Sequence, residues 1–183
     1  MPMCDAYIPA GALAPDVERQ LMAQVSELLV EHEIRRVVDL MDDPDAADTI
    51  RKRALAIAWS FVHRTDTYVA CRPIEAPVYK FVCSVPEGQI DDRFAPAVNR
   101  DILQAVIDAE AQEWPHPERR VWVFIHEIPD GTWGAHGMAL HIKEIIDFVS
   151  PGMGEAAAER LAEVHRVEAR DIVERAGAAP ARS

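Results

Sequence analysis

Few residues of this chain are placed to do chemistry, and the one with the sharpest reading is the second. Met1 is followed by Pro2, a small residue of the kind that permits removal of an initiator methionine, and removal leaves a free prolyl amine. A secondary amine held in an apolar pocket is disfavoured as a cation, so its pKa falls toward or below the roughly 7.7–8.0 of an ordinary α-amino group. It is then a base matched to neutral pH. Trp122 and Phe124, in a stretch of aromatic and β-branched residues, are rings that would supply such a pocket. The plainer reading of the same proline is a strand start, where its missing N–H does no harm.

The remaining chemistry-bearing types form no familiar constellation. The chain has no phosphate-binding glycine loop, no Gly-x-Ser-x-Gly elbow and no His-Glu-x-x-His. His126, His136 and His141 are spaced to suit neither one helix face nor a common metal box, so neither a metal nor a cofactor is expected. His63 and His126 read most simply as strand residues satisfied by hydrogen bonds, with a role at a site as the alternative. Cys4, Cys71 and Cys83 show no Cys-x-x-Cys spacing and read as small strand or core residues in a reducing compartment.

The elements that must position these residues come from a repeat. Ile8-Pro9-Ala10-Gly11 matches Val85-Pro86-Glu87-Gly88 at an offset of 77, and Leu13, Val17, Leu21, Val25 and Leu28 continue onto Ile90, Phe94, Val98, Ile102 and Ala105. Trp59-Ser60-Phe61-Val62-His63 matches Trp122-Val123-Phe124-Ile125-His126 at an offset of 63. The first match has helical periodicity after a short apolar strand, and the second has strand composition. Each copy is therefore a strand, a helix and a strand, the parallel βαβ unit with a right-handed crossover. At the matched end of the second strand, Arg64 in one copy faces Glu127 in the other; Pro2 itself falls on Tyr79.

The offsets differ by 14, which places an insertion at about residues 39–53 of the first copy. There Asp43-Pro44-Asp45 reads as a cap, a first-turn proline and first-turn acid, with Arg51, Lys52 and Arg53 toward the far end: a short solvated helix, on the surface or over the mouth of a site. After Ser150-Pro151-Gly152-Met153-Gly154, a helix from about Glu155 to Ala176 carries a narrow apolar stripe, and the last residues read as frayed. The expected architecture is α/β: two tandem βαβ units in a four-stranded mixed sheet with two main helices on one face, an inserted short helix and a C-terminal helix. As one domain over 1–183 it comprises copy one at 2–72, copy two at 77–149 and an extension at 150–183. Because Val121, Val123 and Ile125 point one way and Trp122 and Phe124 the other, both sheet faces are apolar, and the uncovered one implies a partner subunit.

Composition bounds the rest. In 183 residues, 49% apolar and 27% charged, there is a core and no case for disorder. A net charge of −12 repels a phosphate backbone, so no nucleic-acid partner is expected. No run approaches the roughly 18–20 apolar residues of a membrane span, and no basic-then-apolar leader opens the chain, so a cytoplasmic protein off the membrane is expected.

Pro2 at a strand start, a helix after the Ile8-Pro9-Ala10-Gly11 turn, a second βαβ copy, and Arg120-Val121-Trp122-Val123-Phe124-Ile125-His126-Glu127-Ile128-Pro129 before Gly131-Thr132-Trp133-Gly134 together resemble the tautomerase superfamily over roughly Pro2 to Val149. The likeness is to its two-copy subunits, near 4-oxalocrotonate tautomerase and cis-3-chloroacrylic acid dehalogenase. It implies a homotrimer in which Pro2 is the base of a keto–enol tautomerisation of a small carbonyl or 2-oxo acid. It also implies that Trp122 and Phe124 line the pocket, often across a subunit boundary, and that Trp133 encloses the substrate. Arg64 and His126 are the candidate donors to the enolate oxygen. Two departures stand out. Ala12 and Gln89 occupy positions where relatives acting on acids place arginine, and Leu29 and Ala135 stand where dehalogenases hold the residues that activate water. The alternatives are a hydratase, decarboxylase or dehalogenase-type lyase with protonated Pro2 as acid, and a non-catalytic trimeric binding protein.

Overall fold

Alternation builds the first strand. In the computed structural model, which describes residues 2–38 and 44–178, β1 (Met3–Pro9) buries Cys4, Ala6 and Ile8 and leaves Met3, Asp5 and Tyr7 half-buried on the opposite face. The helix α1 (Pro15–Val38) opens on a proline with Asp16 and Glu18 in its first turn, where acid complements the helix dipole. It is followed by α2 (Pro44–Ala56), β2 (Trp59–Thr65), a small hairpin of β3 (Tyr68–Val69) and β4 (Arg72–Pro73), and then β5 (Tyr79–Pro86). The second crossover is α3 (Phe94–Ala109) and the single turn α4 (Pro117–Arg120), leading into β6 (Val121–Ile128). The chain divides into two compact units, and these elements form the first, Met1–Ile128.

The sheet order is β2-β1-β5-β6, with β1 parallel to β2, β5 parallel to β6 and β1 antiparallel to β5. This is the expected mixed sheet of two βαβ units, and its register confirms the repeat. Met3 faces Trp59, and their counterparts Lys80 and Trp122 face each other in the second copy. Leu21, Met22, Val25 and Leu29 of α1 and Phe94, Val98, Ile102 and Val106 of α3 pack on Cys4, Ala6, Ile8, Tyr79, Phe81, Cys83 and Val85. The aligned pairs Leu21 with Val98 and Val25 with Ile102 are thus both core. Polar ties join the helices: His32 Nε2 lies 2.8 Å from Asp101 Oδ2, and Arg35 donates to Asp91. Burial pushes Asp101 up, but hydrogen bonds from His32 and Arg100 outweigh it and hold the carboxyl below the usual range.

Of the expected insertion, Asp43 and the residues from 39 lie outside the described residues. Its helix, α2, is anchored rather than free: Ile50 and Ala54 are buried and Arg51 pairs with Glu31 of α1. The cysteine expectation holds for Cys4 and Cys83, which are fully buried, and is corrected for Cys71, which is exposed in the turn between β3 and β4. That turn places Ala70 and Cys71 at φ 51° and 62°, the left-handed pair a two-residue hairpin loop requires, with no glycine to announce it.

The second unit, Pro129–Ser183, holds the hairpin β7 (Trp133–Ala135) and β8 (Met138–Leu140), then α5 (Ile142–Val149) and α6 (Gly154–Ala178). Asp130 accepts from the backbone N–H of Ile142 at 2.6 Å and lies 2.8 Å from His141 Nδ1, closing the start of α5. Gly154 is required where α6 begins, because a Cβ there would meet the Lys143 carbonyl oxygen at 2.4 Å. Ala157 and Leu161 are the buried apolar side chains among the described residues of α6, whereas Val164, Val167, Ile172 and Val173 are exposed. Among the described residues no helix is long and apolar enough to cross a membrane.

Two structural expectations follow. Arg120 and Glu110 form a buried bidentate pair at 2.6 and 2.7 Å, with the guanidinium also donating to the Pro77 and Pro115 carbonyls. Arg120→Met strands a buried carboxylate and is expected to cost about 3–5 kcal/mol in urea unfolding, most of it recovered by adding Glu110→Met. In the second unit, the hydrogen bond that His141 donates to Asp130 raises the His141 pKa above 6.5, while burial pushes Asp130 up but the His141 and backbone hydrogen bonds outweigh it and hold it below 3.8. The His141 contribution is complete below pH 6.5 and fades as pH rises through the raised value; that of Asp130 is complete above 3.8 and fades as pH falls through the lowered one. The melting-temperature deficit of His141→Gln is therefore expected to be widest between those limits and to shrink on the alkaline side.

Candidate functional site

Pro2 is buried at the head of β1, and its carbonyl accepts a hydrogen bond from the Trp59 N–H at 3.4 Å. From there the register lays out the sheet face that carries no helices as three rows. The first is Trp59, Met3, Ser84 and His126, the second Phe61, Asp5, Val82 and Phe124, and the third His63, Tyr7, Lys80 and Trp122. The repeat turns the first row into the third: Trp59 maps onto Trp122, Met3 onto Lys80, Ser84 onto Tyr7 and His126 onto His63. The two copies are related by a pseudo-twofold through the middle row, with Pro2 and Tyr79 at opposite corners.

This layout sorts the residues expected at the site. His126 lies at the Pro2 end, two strands across from Met3, about 10 Å away at the usual strand spacing. Trp122 and Phe124 lie toward the other corner, Trp122 about five residues or 17 Å farther along the strands. Arg64 faces Ile8, about 20 Å from Pro2 along β1, and its guanidinium donates to Glu18 of α1 at 2.6 Å. Within one chain, therefore, Pro2 and His126 share an end, while Trp122, Phe124 and Arg64 do not reach it. Trp133 is buried in β7 of the second unit.

The rings beside Pro2 in its own chain are Trp59 and Phe61, 59% and 45% exposed, their centroids 6.3 Å apart. Sequence reasoning quoted them only as half of a repeat, although the parallel pairing of β1 with β2 is what a βαβ unit entails. Gln89 entered the sequence reading only as a residue standing where relatives place arginine. It is buried in the turn that follows β5 at the Pro2 end, and its Nε2 has no hydrogen-bond partner among the described residues. The matched strand ends Arg64 and Glu127 both act as ties: Arg64 to Glu18, and Glu127 by accepting from the N–H groups of Gly88 and Ile90.

At the end of the sheet away from Pro2, a cavity of about 510 Å³ is walled by Tyr7, Tyr79, Trp122, Phe124 and Val69, with Lys80, Arg119 and Asp66 bringing charged side chains of both signs. The Lys80 Nζ sits 3.8 Å from the centroid of the Tyr7 ring, which itself stacks on His63. Burial pushes the Tyr79 hydroxyl upward, and Glu110 adds to the shift, so it stays protonated. A second cavity of about 530 Å³ lies behind the 65–78 segment around Gly11 and Ala12; Pro2 lines neither. Among the described residues, no three His, Cys, Asp or Glu side chains gather as a metal site.

No protein-family model and no curated protein matches the sequence. Solved structures do match the fold. A protein named Pt0534, inactivated by 2-oxo-3-pentynoate, superposes with a TM-score of 0.56 at 17% identity, over 78% of this chain and 98% of that one. A fused 4-OT symmetric trimer gives 0.53 at 16% identity, over 74% and 93%. A macrophage migration inhibitory factor-like protein from Entamoeba histolytica gives 0.52 at 8%, over 76% and 98%. At these identities the likeness is one of architecture, and the chain has the fold of the tautomerase superfamily.

Proposed function

We propose that this protein is a tautomerase that uses the amine of Pro2 as a general base on a small carbonyl or 2-oxo acid compound. The observation that carries the reading is the placement of Pro2: buried at the head of β1, beside Trp59, in this fold. Once Met1 is removed, the prolyl nitrogen at an apolar strand end is a base of neutral-range pKa. It takes a proton from the carbon α to the carbonyl and returns it elsewhere on the conjugated system. Charge that develops on the oxygen requires a donor, commonly the largest single contribution in such reactions. His126 and Gln89, both at the Pro2 end, are the groups available in the same chain.

The proposal includes a homotrimer. Trp59 and Phe61 on one edge strand and Trp122 and Phe124 on the other are 41–60% exposed on the sheet face away from the helices, large rings of the kind that mark an interface. The fused 4-OT chains of like fold are themselves described as trimers. Packed against another copy, this face brings Trp122 and Phe124 to a Pro2 not their own.

Intact mass of the protein from its host is expected to lack Met1, and light scattering to give three times 20.4 kDa. Pro2→Ala is expected to lose at least about a hundredfold in kcat/KM toward the enol of phenylpyruvate, within the range that a general base supplies. The wild-type rate is expected to rise with pH through the amine pKa; a rate that falls through it assigns the acid role instead, and retention of Met1 ends the proposal. Gln89→Met and His126→Ala separate the two donors: the one that holds the oxyanion lowers kcat by about 10²–10³ and the other does not.

A further inference from the structure

The cavity behind the 65–78 segment has no part in the reaction at Pro2. It has about 530 Å³, within the roughly 300–1,000 Å³ of small-molecule sites, and lies where the turn Pro9–Ala12 meets that segment and the loop after α3. The repeat makes this turn the counterpart of Pro86–Gln89 near Pro2, with Val78-Tyr79 standing where Met1-Pro2 stand. No terminal amine is available there, so the place is suited to binding rather than to proton transfer. Its walls are aromatic and rich in acceptors. Tyr68 of β3 borders it while the adjacent Val69 borders the cavity on the other side, as alternation along a strand requires. Trp114, half-buried, supplies a second ring. Pro9, Pro73 and Pro77 bring no N–H, and those of Ala10, Ala12 and Glu110 already donate to the carbonyls of Thr65, Pro9 and Val106.

Charge then decides the ligand. Among the described residues no lysine, arginine or histidine lines this cavity, whereas Asp66, Glu75 and Glu110 do. Glu110 is neutralised by its two hydrogen bonds from Arg120, and Asp66 also borders the cavity that holds Lys80 and Arg119. Glu75 borders this cavity and not that one, and among the described residues no basic side chain pairs with it. We propose that the cavity binds a small organic cation, an amine with a flat apolar body, its ammonium group at Glu75 and its body against Trp114 and Tyr68. A cation placed by a carboxylate and close to two aromatic rings is stabilised by both. An anion would meet an unpaired carboxylate without a donor, and an uncharged apolar ligand would desolvate Glu75 without giving it a partner. The site is additional to the one at Pro2 and shares no residue with it, so it stands apart from the tautomerase reading.

The test is calorimetric titration of the full-length protein at neutral pH with 2-phenylethylamine, a cation there, beside the uncharged 2-phenylethanol and the anion 3-phenylpropionate. The amine is expected to bind with a Kd of about 1 mM or below and at least about tenfold more tightly than the alcohol. Glu75→Gln is expected to weaken the amine at least about tenfold, to the level of the alcohol, as loss of a charge-assisted hydrogen bond does. Glu75→Lys is expected to turn the preference toward 3-phenylpropionate. Trp114→Leu is expected to weaken amine and alcohol alike; should that variant unfold, Tyr68→Ala, at an exposed position, takes its place. Amine binding no tighter than that of the alcohol overturns the proposal, as does an amine Kd that Glu75→Gln leaves within about twofold of wild type. These binding constants are read without turnover, so the outcome is distinct from whatever Pro2→Ala shows of the tautomerase reading.

Discussion

The antiparallel pairing of β1 with β5 is the contact on which the rest depends. Each βαβ copy has two strands and one helix, too little to bury its own apolar surface. Joining the two inner strands makes one four-stranded sheet and brings α1 and α3 onto a common face. At the centre of the join Cys4 faces Cys83, both fully buried. The neighbouring Cys83 sulfur and burial hold the Cys4 thiol far above the usual range, so the pair packs as two small hydrophobes. A bulkier pair there would separate the inner strands or lift the helices. The same antiparallel contact sends Pro2 and Tyr79 to opposite ends of the sheet, so the distance between them is a consequence of how the copies join.

The helix-free face follows from the same arithmetic of layers. Two crossovers that are both right-handed put both helices on one side of this sheet, and the other side is left with whatever its strands project. Here that is Trp59, Phe61, Trp122 and Phe124, relieved by Asp5 and His63, which lie 2.6 Å apart, and by Lys80. A purely apolar face would favour unspecific association; a ladder with one Asp–His hydrogen bond and one lysine among rings gives whatever covers it polar points to match.

Much of this was legible in the sequence because duplication turns one uncertain pattern into two that must agree. The offsets of 77 and 63 identified strand pairs whose observed register obeys them residue by residue, and the helix stripe from Leu21 to Leu28 was readable because Val98 to Ala105 repeats it. What escaped has a physical reason in each case. The strands β3, β4, β7 and β8 are two or three residues long, too short for any period. The turn at Ala70 and Cys71 lacks the glycine by which left-handed loops are found, whereas its counterpart at His136 and Gly137 contains one. Arg64 read as a candidate donor to the enolate oxygen because its partner, Glu18, is 46 residues away on a helix, a pairing that spacing cannot identify. For the candidate site the sequence supplied Pro2 and the right kinds of ring, but which rings flank it depends on pairing order, and that placed Trp59 and Phe61 at its side.

The copies differ most where the fold demands least. Core positions match in kind, Leu21 with Val98 and Val25 with Ile102, because both copies pack helix on sheet in the same way. At the corners the matched pairs are Pro2 and Tyr79, Met3 and Lys80, Arg64 and Glu127, differing in charge, size or chemistry. A tandem repeat in which both corners stayed alike would present two equivalent half-sites on one face. Divergence instead leaves the two ends unlike, with a proline and a methionine at the head of one inner strand and a tyrosine and a lysine at the head of the other. The face with the most aromatic surface open to water is also the one on which this divergence is displayed.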